Sequence, residues 1–155
     1  MSDYNKALAL RYVAVWNNSE FNALDDIIHP DYRARRGDRL MASGPAALKA
    51  WLSGLHEIFP DMRYTVEEII DVDDRVIVRA SGVGTHLGVW RHKLFTIPPT
   101  GTRVSWSGVD LIRIADGKII EDWDYWDDRG LLEQLGTPSY APKTSPRPAA
   151  KPRAS

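Results

Sequence analysis

The stretch GVDLIRIADGKIIEDWDYWD, residues 108–127, alternates apolar with polar residues on both sides of Asp116-Gly117, the pattern of two strands joined by a tight turn. Its second half is unusual: within IIEDWDYWDD, residues 119–128, five carboxylates and three large aromatics occupy ten positions. Alternate residues of a strand share a face, so this charge divides by parity. Ile120, Asp122, Asp124 and Trp126 lie together, and Ile119, Glu121, Trp123 and Tyr125 lie opposite them. In the preceding strand, Trp106, Gly108, Asp110, Ile112 and Ile114 form one face and Ser105, Ser107, Val109, Leu111 and Arg113 the other.

The turn decides which faces join. A two-residue Asp116-Gly117 loop sets Ala115 opposite Lys118 and Asp110 opposite Trp123. A three-residue loop with a glycine bulge sets Ile114 opposite Lys118, Asp110 opposite Asp122, and Gly108 opposite Asp124. The second form is preferred, because it stacks isoleucines together and gives Asp124 a neighbour without a side chain. Two aspartates facing each other on a covered face repel, so one keeps its proton to higher pH and can exchange it near neutrality. Trp106 and Trp126 on that face would exclude water and hold a flat apolar molecule. The plainer alternative is an edge strand whose charges face solvent, a role that suits Glu121, Asp127 and Asp128.

Outward from this hairpin, alternation predicts strands over Arg63–Asp71 and Arg75–His86 around Asp73-Asp74, and a short one near Tyr32–Arg35. Arg33, Arg35, Arg36 and Arg39, interspersed with Asp31 and Asp38, read as a solvated loop. Helical spacing of Tyr4, Leu8, Tyr12, Val15 and Trp16 marks a first helix to Asn18, with Asp3 as its cap. Phe21, Leu24, Ile27 and Ile28 mark a short second helix closed by His29-Pro30, and a third runs from Ser43-Gly44-Pro45 to Phe59-Pro60. Leu131, Leu132 and Leu135 suggest a last helical turn stopped at Gly136. Helices first and antiparallel strands afterwards predict an α+β domain: a cone-shaped curved sheet with three N-terminal helices packed on its concave face. The domain is expected over 1–136. Residues 137–155 hold five of the ten prolines and four basic residues with no acidic one, a composition expected to form a flexible tail.

A net charge of −1 gives no electrostatic reason to expect nucleic acid or an anionic membrane, and the absence of cysteine removes thiol chemistry and disulfides. No apolar run approaches the roughly 20 residues a bilayer requires, and the first residues lack a secretory pattern, so a cytoplasmic location is expected. His86 and His92 show no tight ligand spacing with the aspartates, and no metal is expected. His29, His56 and His92 read as surface or helix-end residues.

Three stretches, VGTHLGVW at 83–90, FTIPPTGTRV at 95–104 and GVDLIRIADGKIIEDWDYWD at 108–127, together resemble the SnoaL-like polyketide cyclases. The resemblance implies the fold of the nuclear-transport-factor-like and ketosteroid-isomerase-like superfamily, usually dimeric, and an intramolecular aldol ring closure without cofactor or metal. It carries the acid/base role onto Asp124. Asp122 stands where relatives often have histidine. Asp122 and Asp110 are expected to tune Asp124, while His86, Trp106, Trp126 and Trp16 are candidate substrate-binding residues. The expected partner is a small apolar or polyketide-like molecule, and a second copy of the chain. A hydrolase or hydroxylase in the same pocket, or a non-catalytic binding protein, are the alternatives.

Overall fold

The computed structural model describes residues 2–92 and 95–137. Apart from Thr137, the proline-rich tail therefore lies outside the described residues. Helix α1 (Ser2–Asn18) presents Leu8, Tyr12 and Val15 to the core at helical spacing. Asp3 sits inside its first turn rather than at the cap. A 3-10 turn (Phe21–Ala23) and the one-turn α2 (Leu24–Ile27) follow, and the chain then extends as β1 (Ile28–Arg36) and β2 (Arg39–Ser43). Helix α3 (Gly44–Ile58) starts where Gly44 takes φ 79° and Pro45 occupies the first turn, and it buries Leu48 and Leu52. Strands β3 (Arg63–Val72), β4 (Arg75–Thr85), β7 (Arg103–Ala115) and β8 (Lys118–Trp126) lie where alternation predicts them. The short pair β5 (Trp90–Arg91) and β6 (Thr96–Ile97) stands apart as a small hairpin, and α4 (Asp128–Gln134) closes the described chain.

The sheet runs β2-β1-β8-β7-β4-β3. The α+β class and the curved sheet hold, with two corrections. The sheet is mixed, because β1 pairs with β8 in parallel. The helices do not all precede the strands, because β1 and β2 intervene between α2 and α3. The segment read as a solvated arginine loop is that hairpin, turning through Gly37 at φ 57°. Its pairing places β8 in the interior of the sheet, which removes the edge-strand reading of the acidic stretch.

The β7–β8 turn is a further correction. Ala115 pairs with Lys118 across the two-residue Asp116-Gly117 loop, both residues at positive φ (51° and 71°), the primed geometry that matches strand twist. A bulge then shifts the register between Arg113 and Ile114: Ile119 faces Ile114, Ile120 is passed over, and Glu121 faces Arg113. Even residues therefore meet even residues, but by way of the bulge rather than the turn. Asp110 lies opposite Asp124, and Asp122 lies opposite Ile112.

Candidate active site

The register aligns one row across the sheet. Val78 of β4, Asp110 of β7, Asp124 of β8 and Arg36 of β1 are successive cross-strand partners. Tyr32, Ala34 and Arg36 share parity, and the first two are core residues, so Arg36 is directed toward the covered face of the sheet. There it lines a cavity between the sheet, α1 and the end of α3. The walls are aromatic, from Trp16, Phe59, Tyr64, Trp90, Trp106 and Trp126, and Leu131 of α4 also borders it. One end is polar, formed by Tyr12, Arg36, Asp110, Asp122, Asp124 and Asp128.

Glycine shapes this floor. A Cβ on Gly108 would collide with the ring of its cross-strand partner Trp126, and one on Gly82 would lie 2.5 Å from the ring of its partner Trp106. Both indoles lie flat over the neighbouring strand because these positions have no side chain. In that pose Trp126 donates from Nε1 to Oδ1 of Asp110 at 2.9 Å. Gly108→Ala is expected to lift the ring, break this bond and move the Asp110 titration upward; a pH titration of tryptophan fluorescence that matches the parent would refute it.

The guanidinium of Arg36 forks onto Asp124, with Nε donating to Oδ1 at 2.6 Å and Nη2 to Oδ2 at 3.2 Å. Its Nη1 donates to both oxygens of Asp128 at 2.9 and 3.0 Å. Burial pushes Asp124 up, and Arg36 opposes that shift. Burial lowers the proton affinity of Arg36, but Asp124 and Asp128 outweigh it and the net shift is upward. Asp110 rises from an ordinary 3.8 to about 7, chiefly through burial, with the Asp124 charge adding and the Trp126 bond and Arg36 opposing. Asp122 is pushed well above the carboxylate range by burial and then by the charges of Asp110 and Asp124. Tyr12 donates to its Oδ2 at 3.2 Å, and Tyr32 lies behind, 2.9 Å from Tyr12 hydroxyl to hydroxyl.

These shifts have a consequence for stability. Asp110 binds more protons folded than unfolded between pH 3.8 and about 7, so its contribution is full at low pH and is lost as pH rises toward 7. The loss between about pH 5 and pH 8 is about 2–3 kcal/mol from Asp110, with Asp122 acting in the same direction. Urea midpoints at the two pH values should fall accordingly, and Asp110→Asn should flatten the slope; equal slopes would contradict the assignment.

The remaining sequence candidates divide. Trp16, Trp106 and Trp126 border the cavity, and the indole Nε1 of Trp16 is buried without a hydrogen-bond partner. His86 is not among the residues that border it. Its ring is fully buried beyond the end of β4 against Phe59, and Nδ1 accepts from the Thr100 amide at 3.3 Å and lies 3.0 Å from Thr100 Oγ1. With its backbone bonds to Gly101 and Thr102, His86 ties down the Pro98–Thr102 loop. Burial lowers its proton affinity and keeps it neutral. His56, read as a surface residue, is partly buried with Nε2 2.8 Å from the Trp16 carbonyl. Of the acidic groups assigned to solvent, Asp127 caps α4 by accepting from the Gly130 amide at 2.8 Å, Glu121 pairs with Arg113 at 3.1 Å, and Asp128 turns instead to Arg36. Among the described residues no group of three or more His, Asp or Glu side chains is placed to hold a metal ion, and no helix is long and apolar enough to cross a membrane.

The chain matches the family model of the SnoaL-like polyketide cyclases over residues 6–135. It is 33% identical to the nogalonic acid methyl ester cyclase of Streptomyces nogalater over 129 residues, covering 81% of this chain and 92% of that one. It is 32% identical to the aklanonic acid methyl ester cyclase DnrD of Streptomyces peucetius over 142 residues, 88% of this chain and 93% of that one. Among solved structures, AclR of Streptomyces galilaeus, named as a candidate hydroxylase, superposes with a TM-score of 0.77 at 34% identity over 92% of this chain and 91% of its own. A SnoaL-like protein from Jannaschia, 22% identical, shares the fold with a TM-score of 0.79 over 89% of this chain and 95% of that one. With the family model spanning nearly the whole described chain, this protein belongs to the SnoaL-like polyketide cyclase family.

Proposed function

We propose that this chain is a cofactor-independent cyclase that closes a ring by intramolecular aldol addition in a polyketide-like substrate. The observation that carries this reading is the Asp110–Asp124–Arg36 row at the polar end of an aromatic-walled cavity. Arg36 opposes the upward push of burial and favours the ionised form of Asp124, which is assigned as the base: it takes the proton from a carbon flanked by carbonyl groups. The C–H electron pair becomes the enolate and attacks the acceptor carbonyl carbon. The carbon–carbon bond forms, and the carbonyl π pair moves to oxygen. Asp110, with a proton affinity near 7, gives that oxygen its proton. The pair ends each cycle with the proton on the other partner, and transfer between the two facing carboxyl groups resets it. The aromatic walls hold the flat substrate and exclude water, which strengthens each charge interaction at the polar end.

The test is incubation with nogalonic and aklanonic acid methyl esters, followed by absorbance and mass. A cyclised product of unchanged mass is expected; no conversion of either ester or of other enolisable aromatic β-keto esters would end the reading. The 34% identity to AclR supports hydroxylation as a second reading. That reaction consumes oxygen and a reductant, so oxygen uptake with a gain in product mass would favour it. The reading includes a cytoplasmic homodimer, supported by exposed apolar residues Ile70, Val72 and Tyr125 on strands of the main sheet, and light scattering measures its mass.

A further inference from the structure

The mechanism above leaves one buried acid unused. Asp122 accepts at Oδ2 from Tyr12, which commits the Tyr12 proton and makes Tyr32 the donor of the tyrosine–tyrosine bond. Tyr32 is fully buried, so this three-residue chain has no exit to solvent at its far end. The other oxygen, Oδ1, is buried and has no hydrogen-bond partner, on a residue that borders the cavity. An unpaired buried polar atom is costly, on the order of 1–3 kcal/mol, unless a ligand completes it. The groups acting on Asp122 are Asp110, Asp124, Tyr12 and Arg36, with Tyr32 behind Tyr12, and the guanidinium nitrogens of Arg36 are engaged by Asp124 and Asp128. Burial first, then the charge of Asp124 and that of Asp110 once it ionises, favour the protonated carboxyl, and with Tyr12 donating to Oδ2 the proton lies on Oδ1.

We infer that Asp122 is a catalytic residue acting as a neutral hydrogen-bond donor, its Oδ1 hydroxyl pairing with the substrate oxygen on which charge collects as the enolate forms. The proton stays on Asp122 throughout, while Asp124 and Asp110 carry the moving ones. The cyclase reading supplies only the identity of that oxygen. A donor aimed at a developing oxyanion in a dry site contributes about 10²–10³-fold to kcat.

Asp122→Asn keeps a donor of the same shape without any titration, and Asp122→Leu keeps the approximate volume without a donor. With the ester substrates, kcat of Asp122→Asn should stay within about tenfold of the parent and that of Asp122→Leu should fall about 100-fold or more, both at similar KM. An Asn variant as slow as the Leu variant, or a Leu variant at the parent rate, overturns the proposal. Two measurements work even if neither ester is turned over. Isotope-edited infrared spectra of the 13C-aspartate-labelled protein at about pH 8.5, above the Asp110 value of about 7, should show a protonated carboxyl stretch that Asp122→Asn removes. The affinity for 2-naphthol, whose oxyanion imitates an enolate, should drop about tenfold in Asp122→Leu, or 1.4 kcal/mol, and hold in Asp122→Asn. A missing infrared band, or equal 2-naphthol affinities for the two variants, refutes the donor role independently of which substrate the enzyme takes.

Discussion

Asp124→Asn is expected to lower kcat by about 10²–10⁴-fold while substrate affinity stays within about tenfold. The amide has the shape of the carboxylate and still offers one oxygen to Arg36, so the walls that bind the substrate are undisturbed. On the proposed mechanism, what is lost is the ability to take a proton from carbon. Asp110→Asn should give a loss of similar size by a different route, removing the acid that on the same mechanism protonates the new alkoxide oxygen. The two are told apart by pH: in the parent, kcat/KM should fall above about 7 as Asp110 ionises, and this limb should be absent from the residual activity of Asp110→Asn. An Asp124→Asn enzyme retaining a tenth or more of the parent turnover would show that the base is another group.

Arg36→Met is expected to destabilise the fold by about 3–5 kcal/mol if Asp124 keeps its charge. The fork onto Asp124 is shielded from solvent, with 27% of the Arg36 side chain and 6% of the Asp124 side chain exposed, so solvent cannot replace the guanidinium. Asp124 can escape by taking a proton, since burial already pushes it upward and Arg36 is the group that opposes this. The destabilisation should therefore be small at about pH 5 and grow as pH rises and the unpaired carboxylate is forced to ionise. Urea unfolding across this range measures it, and a pH-independent difference would contradict the pairing. Adding Asp124→Asn to Arg36→Met should restore most of the stability without restoring turnover, because a buried pair removed whole costs far less than a pair cut in half.

The sequence shows the fold more fully than the site, and particular residues explain the gap. Alternation in 63–72, 75–85, 103–115 and 118–126 is a period-two signal that burial on one side of a sheet enforces, so the strands are legible. The hairpin register is less so, because a two-residue turn followed by a bulge and a three-residue loop leave the same parity. They differ by two residues in pairing, which decides whether Asp124 or Asp122 meets Asp110. Arg36 is hidden by composition: four arginines and two aspartates in nine positions, 31–39, look solvated, and the buried parity of Tyr32 and Ala34 is the signal that could have located it. His86 is the opposite case. Its inward parity is real, but the strand ends there, and a side chain pointing inward at the end of a strand anchors the next loop instead of meeting the cavity.

The bare Cα of Gly82 under Trp106 means that the volume available to a substrate is set partly by atoms that are missing. A single methyl added there would tilt one indole without touching any member of the acidic row, since Trp106 makes no hydrogen bond to Asp110, Asp122 or Asp124. On the cyclase reading, pocket shape and proton chemistry are expected to be separable by mutation, so descendants of this chain could change the rings they admit in steps of one carbon while inheriting the same acidic row.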